Sequence, residues 1–444
     1  MRIVIIGAVA AGMSAASKLK RIKPDYEVVV YEKNNVVSFG ACGLPYYVGG
    51  FFDDSNKMIA RTVEKFRENG IDLNVMKEVV EVDKDLKKVI VKDVNTGNYF
   101  EDHYDKLMIA TGARSIIPDI KNKNLSNVST LKSMDDGMKL KSLLSKEEYR
   151  NVVIIGAGFI GIEAIEAANK MNKKITVIQS SSRILNRVFD KEITDKLEDE
   201  IKSHNVDLRL NEYVEEFIGK DKVEGVITNK GIIDADVVII ATGVKPNTEF
   251  LKKTGIEMLE NGAIIIDEYC KTSIEDIYSA GDCATIKGAI LNDDMYVPLA
   301  TGANKLGRMV GENLGGFNKR YQGSLASSCI KVLDMEAAVT GLTEEQAKSK
   351  GINYKTGFIT GYNQSHYYPG RDKMYIKIIF NPETKVILGG QVAGFKDAVQ
   401  RANVIAAAIM GKLTTDQLGM LDLCYAPPFA ESWDILNIAG NICK

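Results

Sequence analysis

The feature that most constrains this chain is a pair of glycine-rich turns, each set between a short apolar run and a helix-forming run. In the first, Met1-Arg2-Ile3-Val4-Ile5-Ile6 ends at Gly7, continues through Ala8, Val9, Ala10 and Ala11 to Gly12, and passes into a helical stretch at Ala15–Arg21. In the second, Asn151-Val152-Val153-Ile154-Ile155 leads into Gly156-Ala157-Gly158-Phe159-Ile160-Gly161, then a helix over Glu163–Met171 and a strand over Ile175–Ile178. A strand, a turn with few side chains and a helix place the helix's free N–H groups against a pyrophosphate. The first unit also has an acid for ribose hydroxyls. The run Val28-Val29-Val30-Tyr31 ends at Glu32, 20 residues beyond Gly12. Val9 stands where the middle glycine belongs, so that unit alone equally fits an ordinary strand–helix turn. The second fingerprint is complete. Two such units, with Gly7 and Gly156 149 residues apart, point to two dinucleotides on one chain and to an α/β fold with two Rossmann-like domains.

Other markers divide the rest. Lys106-Leu107-Met108-Ile109-Ala110-Thr111-Gly112 and Val237-Val238-Ile239-Ile240-Ala241-Thr242-Gly243 are buried-type strands ending in the same small-residue turn, as expected where the chain leaves one nucleotide domain for the other. Ile277-Tyr278-Ser279-Ala280-Gly281-Asp282 ends in a carboxylate that suits either a ligand hydroxyl or a helix cap. From about residue 322 the texture changes. Ser328–Val332, Ala337–Val339, Lys355–Ile359, Met374–Phe380 and Val386–Val392 read as antiparallel strands, followed by helices at Ala398–Met410 and from Ser432. The expected division is 1–114 with 237–321, then 115–236, then a C-terminal α+β domain over 322–444.

With 444 residues and a net charge of −2, nothing in the composition calls for nucleic acid or an anionic membrane as partner. No apolar run reaches the ~18 residues of a membrane span. The N-terminus reads as a folded strand rather than a signal peptide, which points to the cytoplasm. Six cysteines (42, 270, 283, 329, 424, 443) without a CxxC pair fit a reducing compartment, and three histidines leave no basis for a metal centre.

One thiol stands out. Ser38-Phe39-Gly40-Ala41-Cys42-Gly43-Leu44-Pro45-Tyr46-Tyr47 surrounds Cys42 with small residues that leave room for a planar ring or a substrate, and Pro45 predicts a turn. Cys42 is then either a redox thiol or a small buried hydrophobe.

Taken in order, these motifs resemble the FAD-dependent pyridine nucleotide–disulfide oxidoreductases over essentially the whole chain. Cys42 has no partner thiol nearby, so the chain looks like the single-cysteine branch: coenzyme A disulfide reductases, sulfur or polysulfide reductases, NADH oxidases and peroxidases. His366-Tyr367-Tyr368-Pro369-Gly370 and Tyr425-Ala426-Pro427-Pro428-Phe429 favour the coenzyme A disulfide reductases. The resemblance implies FAD at Gly7, Val9, Ala10, Ala11, Gly12, Glu32, Ala110, Thr111, Gly112, Gly281 and Asp282, with the helix after Pro298-Leu299-Ala300, read over Thr301–Asn313, aimed at the flavin. It implies NAD(P)H at Gly156, Gly158, Phe159, Ile160, Gly161, Gln179 and Gly243, with Glu163 near the flavin–nicotinamide contact. Ser14, Lys18, Arg21 and Ser38 would line a coenzyme A channel. Cys42 would rest as a mixed disulfide with coenzyme A, and Tyr367 and Tyr425 of a homodimer partner would face it, one of them as proton donor. Asn304 and Trp433 depart from the histidine and lysine of some coenzyme A disulfide reductases, which keeps a polysulfide or persulfide substrate open. An oxidase or peroxidase cycling Cys42 through sulfenic acid, and a flavin-bearing redox sensor, are the other readings. Gln179-Ser180-Ser181-Ser182-Arg183 carries no acid against a 2′-phosphate, so NADPH is expected to be tolerated beside NADH.

Overall fold

The computed structural model describes residues 1–444. Its first layer is a five-stranded parallel sheet in the spatial order Ile277–Ser279, Lys106–Ile109, Arg2–Ile6, Glu27–Glu32, Asp72–Val75. The strand Arg2–Ile6 sits at its centre with Ile3, Val4 and Ile5 fully buried, which is why the run is apolar without alternation. A second parallel sheet has the order Asp207–Leu210, Lys174–Gln179, Asn151–Ile155, Val237–Ile240, Val128–Ser129. Each sheet is accompanied by a three-stranded antiparallel meander, Lys77–Asp83 to Tyr99–His103 in one and Val214–Ile218 to Gly231–Asp234 in the other. The repetition therefore extends well beyond the glycine turns.

Two expectations need correction. Residues 237–240, assigned from sequence to the first domain, lie in the second sheet, because Val237–Ile240 is hydrogen-bonded in register to Asn151–Ile155. The chain returns to the first domain only after Gly243. Both helices after the glycine turns also begin earlier than expected, at Ala10 and Phe159, since the last turn residues already adopt the first helical turn. The two crossings between domains pair with each other: Ala113–Ser115 runs antiparallel to Val244–Pro246. Thr111 Oγ1 donates to the Asn247 carbonyl at 2.7 Å and Thr242 Oγ1 to that of Ile116 at 2.7 Å, which fastens both ends of this ribbon.

The C-terminal sheet is antiparallel, in the order Ser328–Val332, Met335–Gly341, Ile387–Gly394, Lys373–Phe380, Lys355–Tyr362. Helices Ala398–Met410 and Ile435–Ile442 cover one face, meeting Met374, Ile376 and Ile378. The opposite face packs on the second domain and on the helix Leu44–Val48, through Ile330, Val332, Val339 and Tyr375. Strand alternation points Lys377 the same way as Tyr375, and there it is fully buried. Its Nζ meets Glu344 at 2.5 Å, Glu192 at 2.8 Å and Asp190 at 3.4 Å. Asp190 also accepts from Gln391 Nε2 at 2.6 Å. Nearby, His204 bridges Glu200 and Asp334 across the same seam, at 3.5 and 3.2 Å. No helix is long and apolar enough to cross a membrane, and all six cysteines are free.

Candidate active site

The first glycine turn is built for close approach. A Cβ at Gly7 would overlap the Ala110 carbonyl, and one at Gly12 would overlap that of Gly7, so strand, turn and helix fit only without side chains there. No side chain caps the helix Ala10–Ile22, whose N-cap is Val9, so its first-turn N–H groups face outward for an anion. Glu32 is buried at the end of its strand, accepting from the Ala8 N–H at 2.8 Å and the Asn34 N–H at 3.0 Å. Asp282 caps no helix. Its carboxylate pairs with Lys132 Nζ at 3.1 Å, and its carbonyl accepts from Tyr296 Oη at 3.0 Å. The helix Ala300–Leu314 likewise starts without a side-chain cap, at Leu299. Uncapped helix N-termini, a turn stripped of side chains and a buried ribose-type carboxylate fit FAD.

The second site repeats this design with one change. Gln179 takes the place of Glu32, its Oε1 accepting from the Ala157 N–H at 2.9 Å and its Nε2 donating to Ser181 Oγ at 2.5 Å. Gly158 caps Phe159–Lys170 without a side-chain bond, and a Cβ there would meet open space. Arg183 does not stand free for a 2′-phosphate. Its guanidinium donates to the Phe189 carbonyl at 3.2 Å and to Thr194 Oγ1 at 3.4 Å, and faces Glu345.

Cys42 lies in a 3₁₀ turn, Ala41–Gly43, that runs directly into the helix Leu44–Val48. Pro45 thus occupies the first turn of a helix, where its missing N–H costs nothing, and the turn expected there is a helical one. Ser38, at φ +48°, donates its N–H to the Ala8 carbonyl at 2.8 Å, and Gly40 donates to that of Met58 at 2.8 Å. The thiol turn is thereby tied to the first glycine turn. Cys42 is an exposed residue. Burial of its flank, then the charge of Glu163, and more weakly Asp282, push the thiol up, while Lys132 pulls it down. Glu163 comes from the second fingerprint helix, Asp282 from the returning part of the first domain, and Lys132 from the segment just before the helix Met134–Leu144. Lys132 and Asp282 are paired with each other at 3.1 Å, so a cation and two carboxylates act on this thiol together. Lys132 was not foreseen: nothing in its own neighbourhood marks it, and only the fold brings it to Asp282. Glu163 is pushed up to about 7 by burial and then by Glu166.

Tyr367 and Tyr425, 58 residues apart, meet with their hydroxyls at 3.3 Å. This bond raises Tyr367 above the usual phenol range. They are 64% and 49% exposed, beside an exposed Phe429 (69%) and Trp433 (52%). The residues expected to line a coenzyme A channel have partners of their own within the chain. Ser14 Oγ is bonded to Asn304 at 3.0 Å, and Lys18 is held by Glu312 at 3.0 Å. Arg21 instead faces a cavity of about 270 Å³ with Ser17, Lys20, Arg61, Phe66 and Asn69. Arg61, which sequence reading missed, lies over the Phe66 ring at 5.9 Å.

Residues 1–307 match the family model for pyridine nucleotide–disulphide oxidoreductases, and residues 327–436 match the dimerisation domain of that class. The chain belongs to this family, whose members are FAD-dependent oxidoreductases that use NAD(P)H. Within it, the chain is 40% identical over 443 residues to an NAD(P)H coenzyme A polysulfide/persulfide reductase of Pyrococcus horikoshii, covering 100% of this chain and 98% of that one. It is 33% identical over 443 residues to an NADH oxidase of Enterococcus faecalis, covering 99% of each. The structure of an NAD-dependent persulfide reductase from A. fulgidus superposes with a TM-score of 0.95 at 34% identity, over 100% of this chain and 83% of that one.

Proposed function

We propose that this chain is a flavoprotein reductase carrying electrons from NAD(P)H to Cys42 and on to coenzyme A disulfide or a coenzyme A-linked persulfide or polysulfide. The observation that carries the proposal is an exposed cysteine whose turn is tied by a backbone hydrogen bond to the first glycine turn and which lies under the charges of Glu163, Lys132 and Asp282. FAD, when bound, supplies a two-electron relay between a nicotinamide and this thiol. The groups that would hold it are the Gly7–Gly12 turn and its helix N-terminus, Glu32, Ala110–Gly112, Gly281, and Asp282 with Lys132. The helix after Pro298-Leu299-Ala300 would face its ring. NAD(P)H would lie on Gly156–Gly161, with Gln179 at its ribose and Gly243 beneath.

The reduced Cys42 thiolate attacks one sulfur of the substrate disulfide, forming a mixed disulfide and expelling a thiolate. Tyr425 or Tyr367 protonates the leaving group, which a phenol bonded to a second phenol is placed to do. In one chain both phenols stand exposed on the C-terminal domain, so they are read as serving the partner subunit's Cys42 in a homodimer. Lys132 opposes the two carboxylates that disfavour the thiolate, and a proton on Glu163 would remove one of them. The cavity with Arg21 and Arg61 offers two guanidinium groups for phosphates, as coenzyme A requires. Free thiols throughout suit a reducing cytoplasm.

Intact-protein mass spectrometry without reductant tests the proposal. Cys42 is expected to carry a coenzyme A adduct, released as one equivalent on two-electron reduction. A dimedone-reactive sulfenate with no coenzyme A would overturn it in favour of the oxidase reading, which the Enterococcus relative supports.

A further inference from the structure

Glu163 and Glu166 lie one turn apart on the helix Phe159–Lys170, so their carboxylates are neighbours. Glu166 is only 8% exposed. One of its oxygens holds Lys331 Nζ at 2.6 Å, and the other is buried without a hydrogen-bond partner. Lys331 comes from another domain: it lies on Ser328–Val332, the edge strand of the C-terminal sheet, with its side chain half in solvent. Glu163 has no such cation. Facing it are Glu166 on its own helix, Cys42 and Tyr46 from the thiol turn and the helix after it, and Cys329 from the same edge strand as Lys331. Of these only Glu166 carries charge.

The charge of a buried carboxylate one turn away disfavours ionisation of Glu163. Of the two glutamates, Lys331 touches only Glu166. We propose that Lys331 is a positioning residue that anchors Glu166 and offsets its charge, and thereby sets the proton affinity of Glu163 one turn away. The C-terminal domain would in this way set the protonation state of a group in the second dinucleotide site. The proposal rests on the one-turn spacing of the two glutamates and on a lysine that reaches only Glu166. Its consequence for turnover rests on the reading of Glu163 given above.

Infrared difference spectroscopy of the holoenzyme across pH reads the carbonyl stretch of a protonated buried carboxyl, independently of turnover. A band titrating near pH 7 is expected in the unmodified protein, and Glu163→Gln should abolish it. Lys331→Met should raise the midpoint by about one pH unit, because the charge of Glu166 is then no longer offset. Lys331→Arg should restore it. Glu166→Gln should lower the midpoint, because it removes the repelling charge. These opposite signs separate the proposal from simple loss of structure. Shifts of the same sign in Lys331→Met and Glu166→Gln, or a midpoint unmoved by either, would overturn it. The rate of Cys42 alkylation by iodoacetamide in the reduced holoenzyme, measured over the same pH range, tests the other reading. If the infrared midpoints move as expected and the rate profile ignores them, the role of Lys331 stands and Glu163's part in thiolate formation falls. If instead the rate profile follows Glu163 and Lys331→Met moves neither curve, the role of Lys331 falls.

Discussion

Replacing Lys377 with methionine isolates what binds the second domain to the third. The lysine is fully buried, and three carboxylates from two domains converge on it. Removing one partner of a buried ion pair typically costs ~3–5 kcal/mol, because the remaining charge is stranded. Here the stranded groups differ. The Glu192 and Glu344 side chains are 40% and 37% exposed and can turn toward water, whereas Asp190, at 6%, cannot. Asp190 nevertheless keeps Gln391 Nε2 at 2.6 Å and the Glu344 N–H at 3.0 Å. The loss should therefore sit at the lower end, ~3 kcal/mol, or roughly a hundredfold in the unfolding equilibrium. At roughly 2–4 °C per kcal/mol, the midpoint should fall by about 6 °C or more. Burial lowers the affinity of Lys377 for its proton, but the bonds to Glu192 and Glu344 outweigh that and raise it above the usual lysine range. Its contribution is therefore complete below about pH 10.4, the unfolded value, and lost only as pH rises through the folded one. Thermal unfolding followed by circular dichroism, at fixed protein and excess FAD, measures this. Lys65→Met serves as the control, since the Lys65–Glu68 pair is 62% and 64% exposed and should change little. A Lys377→Met midpoint no lower than that of the control would refute the reasoning.

Other outcomes follow from the site. Glu163 holds its proton to about pH 7 when folded and to about 4.3 when unfolded, so the native chain loses stability as pH rises through that window. Glu163→Gln should match wild type at pH 4 and exceed it by about 3 kcal/mol at pH 8, read from denaturant midpoints; a difference that stays constant with pH would contradict this. Arg61→Ala should raise the KM for coenzyme A disulfide about tenfold and leave that for NAD(P)H unchanged, the loss of one phosphate contact being worth about 1.4 kcal/mol. Gln179→Glu should weaken NADPH more than NADH by placing a carboxylate against the 2′-phosphate, visible in the ratio of kcat/KM values. Mixing Cys42→Ser subunits with Tyr425→Phe subunits should regenerate activity, because one site of each heterodimer is intact; equal inactivity of all mixtures would place the tyrosine in its own chain.

What could be read from sequence was what local chemistry repeats. Both glycine turns, both Ala-Thr-Gly exits and Cys42 announce themselves, because each must satisfy a local constraint of backbone or reactivity. The helix Ala398–Met410 was legible to the residue. The second-sheet membership of Val237–Ile240 was not, since an apolar run is the same wherever it is buried, and only pairing with Asn151–Ile155 decides its sheet. Lys132, Arg61 and Lys331 escaped for a related reason. A lone cation in a sequence looks like any solvated side chain, and its meaning arises from a carboxylate or a cavity brought to it by the fold. Lys18 shows how a distant helix enters: helical spacing put it on the same face as Arg21, and the fold adds Glu312 at 3.0 Å from its Nζ.

The ribbon formed by Ala113–Ser115 and Val244–Pro246 gives the nicotinamide-side module a single doorway. Its entrance and exit stand one strand spacing apart, about 4.8 Å, so the intervening block can be lifted out and another of the same plan grafted in without stretching the host backbone. Coenzyme preference is then a transplantable cassette. What limits such grafts is the far side, where any donor must present carboxylates to Lys377 and a glutamate to Lys331.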